Sequence, residues 1–395
     1  TQGVSSAASD VYKRQVLDRY TYLDTATTGL IPQYACDAMS TYLQNRTNLA
    51  MDIDDYHLQW DYADDIRDEI AAMIGAESGD EIAFGQNSST LFNIFCNGLT
   101  FEKGDNVVIY ENAFPAMTYV WLNMKEQLGL EVRVARALDG ETAPEALFAL
   151  ADKHTKAITV CHVDSGNGYR HDLKTIGTWC RERGIAFGVD ATQACGAMRL
   201  DVKDMKIDFL TTSAYKWLQG VQGIGFAFID KEFMKCLKQT EMGWANVADR
   251  INGGPFDLIV SKRACRFENG GLPAIGLYGL HETIASYMRL GGEDIENYIL
   301  DLTDYLYRKV EITEGISIAF PHDRGHRSGL ISLKVPSGLG LTESSLRADG
   351  IRAKMQGEDR MRIALHYYNN TQDIDRLIGY LLSCITKSVS YTHLT

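Results

Sequence analysis

Across residues 80–230, short apolar runs alternate with stretches of helical spacing, and no other feature restricts the fold as much. The runs at 81–85, Asn106–Tyr110 (NVVIY), Glu131–Ala135 (EVRVA) and 157–163 (AITVCHV) are of strand length, and all but the alternating EVRVA are mostly apolar. Three more follow at 185–189 (IAFGV), Phe209–Ser213 and Gly225–Ile229. Helical spacing occupies 37–46 and 61–74, with a turn cluster at 77–80. It begins again near Ser89 and returns over Leu173–Arg183, where Gly184 supplies a stop. Strands apolar on both faces and separated by helices need crossover connections. The expected fold class is therefore α/β, with a mostly parallel sheet covered by helices.

Near 267–276 the alternation gives way to long helical stretches at 275–290 and 295–314. Strand-like segments at 317–320, 330–335 and 361–365 follow, then an amphipathic helix at 371–382. This predicts an N-terminal segment and large domain over 16–267 and a smaller α+β domain over 268–387. The ends, TQGVSSAASDVYKRQ (1–15) and SVSYTHLT (388–395), carry neither a signal peptide's apolar core nor a helical pattern, and read as non-native read-through. The acidic, aromatic stretch 51–65 reads better as a helix start with capping acids than as part of a substrate entrance.

Composition narrows the function classes. With 39 Lys and Arg against 52 Asp and Glu, the net charge of −13 repels phosphate backbones and argues against nucleic acid as a partner. No apolar run reaches the roughly 18–20 residues of a membrane-spanning helix. The 8 cysteines form no C-x-x-C pair, so neither a disulfide framework nor a thiolate metal site is expected, and reduced thiols fit a cytoplasm. His322 and His326 stand in a charged loop with no Cys or Glu positioned to complete a metal site.

Ligands of parallel α/β sheets bind beyond the carboxyl ends of the strands, so polar residues there carry the candidate chemistry. Lys216 follows the strand FLTTS and precedes Trp217 and a glycine-rich stretch. It is either an ordinary loop lysine or an amine whose lowered pKa suits Schiff-base formation. Asp190, which ends the strand IAFGV, is either a helix cap or the carboxylate that keeps a pyridine nitrogen protonated. Asn87, Ser88 and Ser89 open a helix whose free N–H groups attract an anion, and Ser213 offers a further hydroxyl, although simple capping needs the same residues. The glycines at 166–168 and 220–225 do not match G-x-G-x-x-G, so a nicotinamide-binding reading is weak.

Seven segments in order, YLDTATTGLIP, FGQNSSTLFNIF, ENAFPAMTYVW, HVDSGNGY, VDATQACG, TTSAYKW and CRFENGG, resemble the class V aminotransferase family of pyridoxal-phosphate enzymes. That family includes cysteine desulfurases, selenocysteine lyases, isopenicillin N epimerases and kynureninases. The resemblance implies an aspartate-aminotransferase-like fold (fold type I), pyridoxal 5'-phosphate, an amino-acid substrate and a homodimer. It implies Lys216 as the Schiff-base lysine, Asp190 as the pyridine-nitrogen partner and Gln193 as a donor to the ring oxygen. It also implies Ser88, Ser89 and Ser213 at the phosphate, Phe114 over the ring and Arg362 on the substrate carboxylate. Ser165 stands where many relatives carry asparagine.

Some residues depart from the family pattern. The stretch IRAKMQGEDRMR has no cysteine where desulfurases carry their nucleophile. Tyr215 replaces the usual histidine before the lysine, and Gly271 stands where relatives offer a threonine to the neighbouring subunit's phosphate. Transamination is the default expectation, with desulfurase- or selenocysteine-lyase-like activity and epimerisation as alternatives. A catalytically silent cofactor-binding sensor or scaffold is the alternative from a different class.

Overall fold

The computed structural model describes residues 15–48, 53–250, 254, 256 and 258–392. The expectation for the first fourteen residues lies outside them. The central sheet holds β1 (Ile82–Gly85), β2 (Asn106–Tyr110), β3 (Glu131–Ala135), β4 (Thr155–Cys161), β5 (Ala186–Asp190), β6 (Phe209–Ser213) and β7 (Gly225–Ile229). Their order is β1-β7-β6-β5-β4-β2-β3, with β7 antiparallel to both neighbours and the other pairs parallel. The α/β expectation is met.

Helices α1 (Gln33–Asn48), α2 (Ile53–Ile74), α3 (Ser88–Gly98), α4 (Pro115–Leu128) and α5 (Leu173–Arg183) belong to this part of the chain. Each start or stop has a local cause. Asn87 caps α3 by accepting the Thr90 N–H, and Asp172 caps α5 by accepting that of Thr175. Pro115 opens α4, and Gly129 and Gly184 end α4 and α5 with left-handed backbone. Helix α2 begins well before 61, because no Gly or Pro lies between 53 and 74 to stop it. Phe92 and Phe95 of α3 pack with Trp121 of α4 and Phe209 of β6 under the sheet.

Beyond the sheet lie α6 (Ala274–Leu290) and α7 (Gly292–Glu311), then a second sheet of β8 (Ser317–Ile318), β9 (Leu330–Lys334), β10 (Lys354–Met355) and β11 (Arg360–Ala364). It is antiparallel, ordered β10-β11-β9-β8, and α8 (Thr371–Thr392) follows it. Two expectations change. The strand expected at 317–320 stops at Ile318, with Pro321 just beyond. The final helix continues to Thr392, into the stretch expected to lack helical structure, since no Gly or Pro after Gly379 interrupts it. The N-terminal segment crosses to the second sheet: Thr21–Tyr22 pairs in parallel with Ile351–Arg352, and Asp24 bridges Ala364. Among the described residues no helix is long and apolar enough to cross a membrane.

Candidate active site

Along the chain, β2 leads to the edge strand β3, whereas β4 lies on the other side of β2. Loops leaving β2 and β4 therefore diverge, and a crevice opens at their carboxyl ends. Register places Cys161 opposite Asp190 and Asp190 opposite Thr211, so the ends of β4, β5 and β6 form one polar floor. Above it lies a cavity of about 490 Å³ lined by residues of 86–90, Phe114, Cys161, Ser165, Asp190, Thr192, Gln193, Ser213, Tyr215 and Lys216.

Asp190 is buried. Its Oδ1 accepts the Thr192 N–H at 2.8 Å and its Oδ2 accepts the Ser88 hydroxyl at 2.9 Å. Each carboxylate oxygen keeps a further lone pair for a ligand. Ser88 Oγ also lies 2.8 Å from Thr211 Oγ1, and Ser88 N donates to Ser213 Oγ at 2.9 Å. The Ser88 hydroxyl is thus turned to the floor, while Ser89 and Thr90 face the mouth at the start of α3.

Lys216 is 7% exposed, and its Nζ lies 5.4 Å from the Phe114 ring centroid and 5.7 Å from that of Tyr215. Burial holds its pKa below the usual lysine value. Asp190 pulls the other way, and the Arg362 charge adds to the lowering. Burial, then the Asp190 charge, raises the Tyr215 phenol. A close backbone approach fixes the lysine. Gly29 N donates to Tyr215 O at 2.8 Å, and a Cβ on Gly29 would stand 1.9 Å from Lys216 O.

Gln193 is held at both ends. Its amide donates to Ala26 O at 3.0 Å, and its oxygen accepts the Trp217 indole N–H at 2.8 Å. One amide hydrogen remains for a ligand. Arg362 stands just outside the cavity lining, where it donates to Ser165 O at 3.0 Å and also bonds Thr27 Oγ1. Its buried Nε has no partner among the described residues. The Ser165 loop is anchored by Asp164, which accepts the Tyr110 hydroxyl at 2.5 Å and lies 3.0 Å from His171 Nε2.

Asp164 and Thr192 stand at polar strand ends that the sequence marks, but Thr211, Cys161 and the bonding of Asp164 to Tyr110 and His171 are not readable from it. The missing signal was cross-strand register, which only the folded sheet supplies. A phosphorylated pyridine aldehyde needs an amine, a carboxylate for its ring nitrogen, an apolar face and an anion site. The cavity offers these as Lys216, Asp190, the 42%-exposed Phe114 ring and the amino end of α3, so its residues fit that group.

The family model described as Aminotransferase class-V matches residues 21–377. The probable cysteine desulfurase of Methanothermobacter thermautotrophicus is 27% identical, over 93% of this chain and 95% of that protein. The corresponding Pyrococcus abyssi protein is also 27% identical, over 91% and 93%. Among solved structures, the apo cysteine desulfurase of Thermococcus onnurineus NA1 superposes with a TM-score of 0.84 at 24% identity, over 96% of this chain and 98% of the other. The complex of the cystine C–S lyase C-DES with its reaction product cysteine persulfide gives 0.85 at 20% identity, over 93% and 98%.

Proposed function

Because this chain belongs to the aminotransferase class-V family, we propose that it is a pyridoxal-phosphate enzyme acting at Cα of an amino acid. The observation that carries the reading is the convergence of Lys216 and Asp190 on one cavity at the amino end of α3. Pyridoxal phosphate supplies, when bound, an electron sink for the bond broken at the substrate's Cα. Lys216 would hold it covalently, and its lowered pKa gives a larger share of free amine at neutral pH, the form that attacks a carbonyl and moves a proton. Asp190, fixed by Thr192 and Ser88, would face the ring nitrogen. Ser89, Thr90 and the first N–H groups of α3 would receive the phosphate, with Phe114 against the ring. Arg362, now held beside the cavity by Ser165 O, Asp24 and Thr27, would take the substrate carboxylate by exchanging those contacts for it.

The cysteine lining the cavity is Cys161, which burial pushes far above the usual thiol range. The hairpin carrying Arg362 turns through 356–359 without a cysteine. Both features support transamination or β-elimination without a sulfur-carrying enzyme thiol. A paired chain is part of the proposal. Trp244, Phe256, Leu258 and Ile259 are exposed apolar side chains on segments joined by the Val247–Val260 bridge, and sizing by light scattering tests it.

The direct test is to load the protein with pyridoxal phosphate, reduce it with borohydride and locate the modified lysine by peptide mass. Label on Lys216, absent in Lys216→Ala, is expected; label elsewhere, or none, defeats the proposal. In Asp190→Asn, cofactor uptake is expected with severe loss of turnover. A loaded wild-type protein whose absorbance responds to no amino acid would favour the silent-binder alternative.

A further inference from the structure

A second cavity, also about 490 Å³, shares Phe114 and Ser165 with the first and is closed on its far side by Gly140, Phe320, Gln356 and Arg360. Arg360 stands two residues before Arg362 on β11, so the two side chains share one face, about 7 Å apart along the strand. Register sets Lys334 opposite Arg360, which adds positive charge to that face. The Arg360 guanidinium carbon lies 5.9 Å from the Phe320 ring centroid, and Arg360 has no carboxylate within ion-pair distance among the described residues, whereas Arg362 has Asp24 Oδ1 at 3.4 Å.

Of the two acids of this cavity, Glu111 is engaged, and Asp164 is engaged through Oδ1 while its buried Oδ2 has no partner among the described residues. Glu111 pairs with Arg136 at 2.9 Å, and Asp164 is bound by Tyr110 and lies beside His171. The turn before Arg360 is fixed as well. Gln356 N donates to Arg360 O at 2.9 Å, and the Gln356 amide donates to Gly166 O at 3.0 Å, beside Ser165. A half-buried cation on a fixed turn therefore lines a cavity that adjoins, across Phe114 and Ser165, the site where Cα chemistry is placed.

We propose that this second cavity is the side-chain subsite and that Arg360 receives a second carboxylate at the far end of the substrate. The substrate class is then an α-amino acid with two carboxylates. Either an acidic amino acid or a disulfide-linked pair such as cystine supplies that chemistry. The spacing of Arg360 and Arg362 suits two carboxylates separated by several bonds. This inference rests on the proposed pyridoxal-phosphate reading.

The test uses the loaded enzyme and compares glutamate with glutamine, aspartate with asparagine, and cystine with its monoamide, so that each amide keeps the α-carboxylate. Binding is read from the cofactor absorbance and turnover as kcat and KM separately. The expected result is a preference for the acid of at least one pair. In Arg360→Gln that preference falls about ten- to hundredfold, mainly through KM, and Arg360→Lys restores part of it. Preference for cystine alone assigns the longer substrate, and preference for glutamate or aspartate the shorter. Wild-type enzyme that binds acid and amide equally, or an unchanged ratio in Arg360→Gln, overturns the inference while leaving the cofactor reading intact. Failure of the wild-type protein to load cofactor or to respond to any amino acid overturns both.

Discussion

Acidification should weaken this fold through His162. The residue follows β4, is 3% exposed, and has no partner for Nδ1 among the described residues. Its backbone N–H donates to Asp190 O at 2.8 Å, so it sits directly beneath the proposed site. Burial, reinforced by the Arg170 and His171 charges, lowers its pKa from 6.5 to about 3. As pH falls, the unfolded chain takes the proton first. The stabilisation is thus complete above pH 6.5 and is lost progressively toward pH 3. Between pH 7 and pH 5 the loss is about 2 kcal/mol.

Asp208 works in the opposite sense. Burial raises its pKa to about 6, despite its bonds to Phe187 N and Arg181, so here the folded state takes the proton first. That contributes about 1 kcal/mol of added stability over the same interval. Wild-type protein alone therefore shows only a net of opposing effects. The informative comparison is with His162→Gln, by urea unfolding followed through tryptophan fluorescence at both pH values. The change from pH 7 to pH 5 should be about 2 kcal/mol more favourable in the variant than in the wild type. Equal changes in the two proteins would refute the assignment, and His162→Val repeats the test should the glutamine variant fold poorly.

Glu268 accepts Arg67 Nη2 through both oxygens at 2.8 and 2.7 Å and also the Phe84 N–H of β1, all in the interior. Glu268→Ala should cost about 1–3 kcal/mol by thermal melting, because Arg67 stays buried with only Asp64 as partner and the Phe84 N–H is left unsatisfied. Combining it as Glu268→Leu with Arg67→Met should cost much less, since Asp64 keeps Arg263 at 2.7 Å; equal losses would contradict this account. Gly29→Ala should displace Lys216 and abolish borohydride-stable labelling, whereas normal labelling would show that the close approach can relax. Asp190→Asn removes the charge that partly offsets the burial-lowered pKa of Lys216. The rise in cofactor uptake rate with pH should then occur at lower pH in the variant than in wild type, and a shift upward would be inconsistent with the placement of these groups.

The α/β architecture was legible because strands buried on both faces leave unbroken apolar runs, and the helices between them carry local caps such as Asn87 and Asp172. The edges of elements were less legible. Helix α2 starts early and α8 ends late because a helix continues until something stops it, and the apolar stripe marks only the part that is packed.

At the site, position along the chain located Lys216, Asp190, Gln193 and Ser213 on one cavity but not what each side chain bonds. Ser88 shows why. At the first position of α3 its hydroxyl could turn to the helix mouth or to the sheet, and the choice depends on Thr211 and Asp190, 123 and 102 residues away in sequence. The register of β5 with β6 brings those two partners together, so the Ser88 hydroxyl steadies an acid from the floor of the cavity. Arg360 and Arg362 follow the same logic. Their two-residue spacing is visible in the sequence, but a shared face beside the cavities exists only once β11 pairs with β9. Long-range pairing therefore decides which of the readable polar residues act together, and the tests most informative about function are those that separate such pairs.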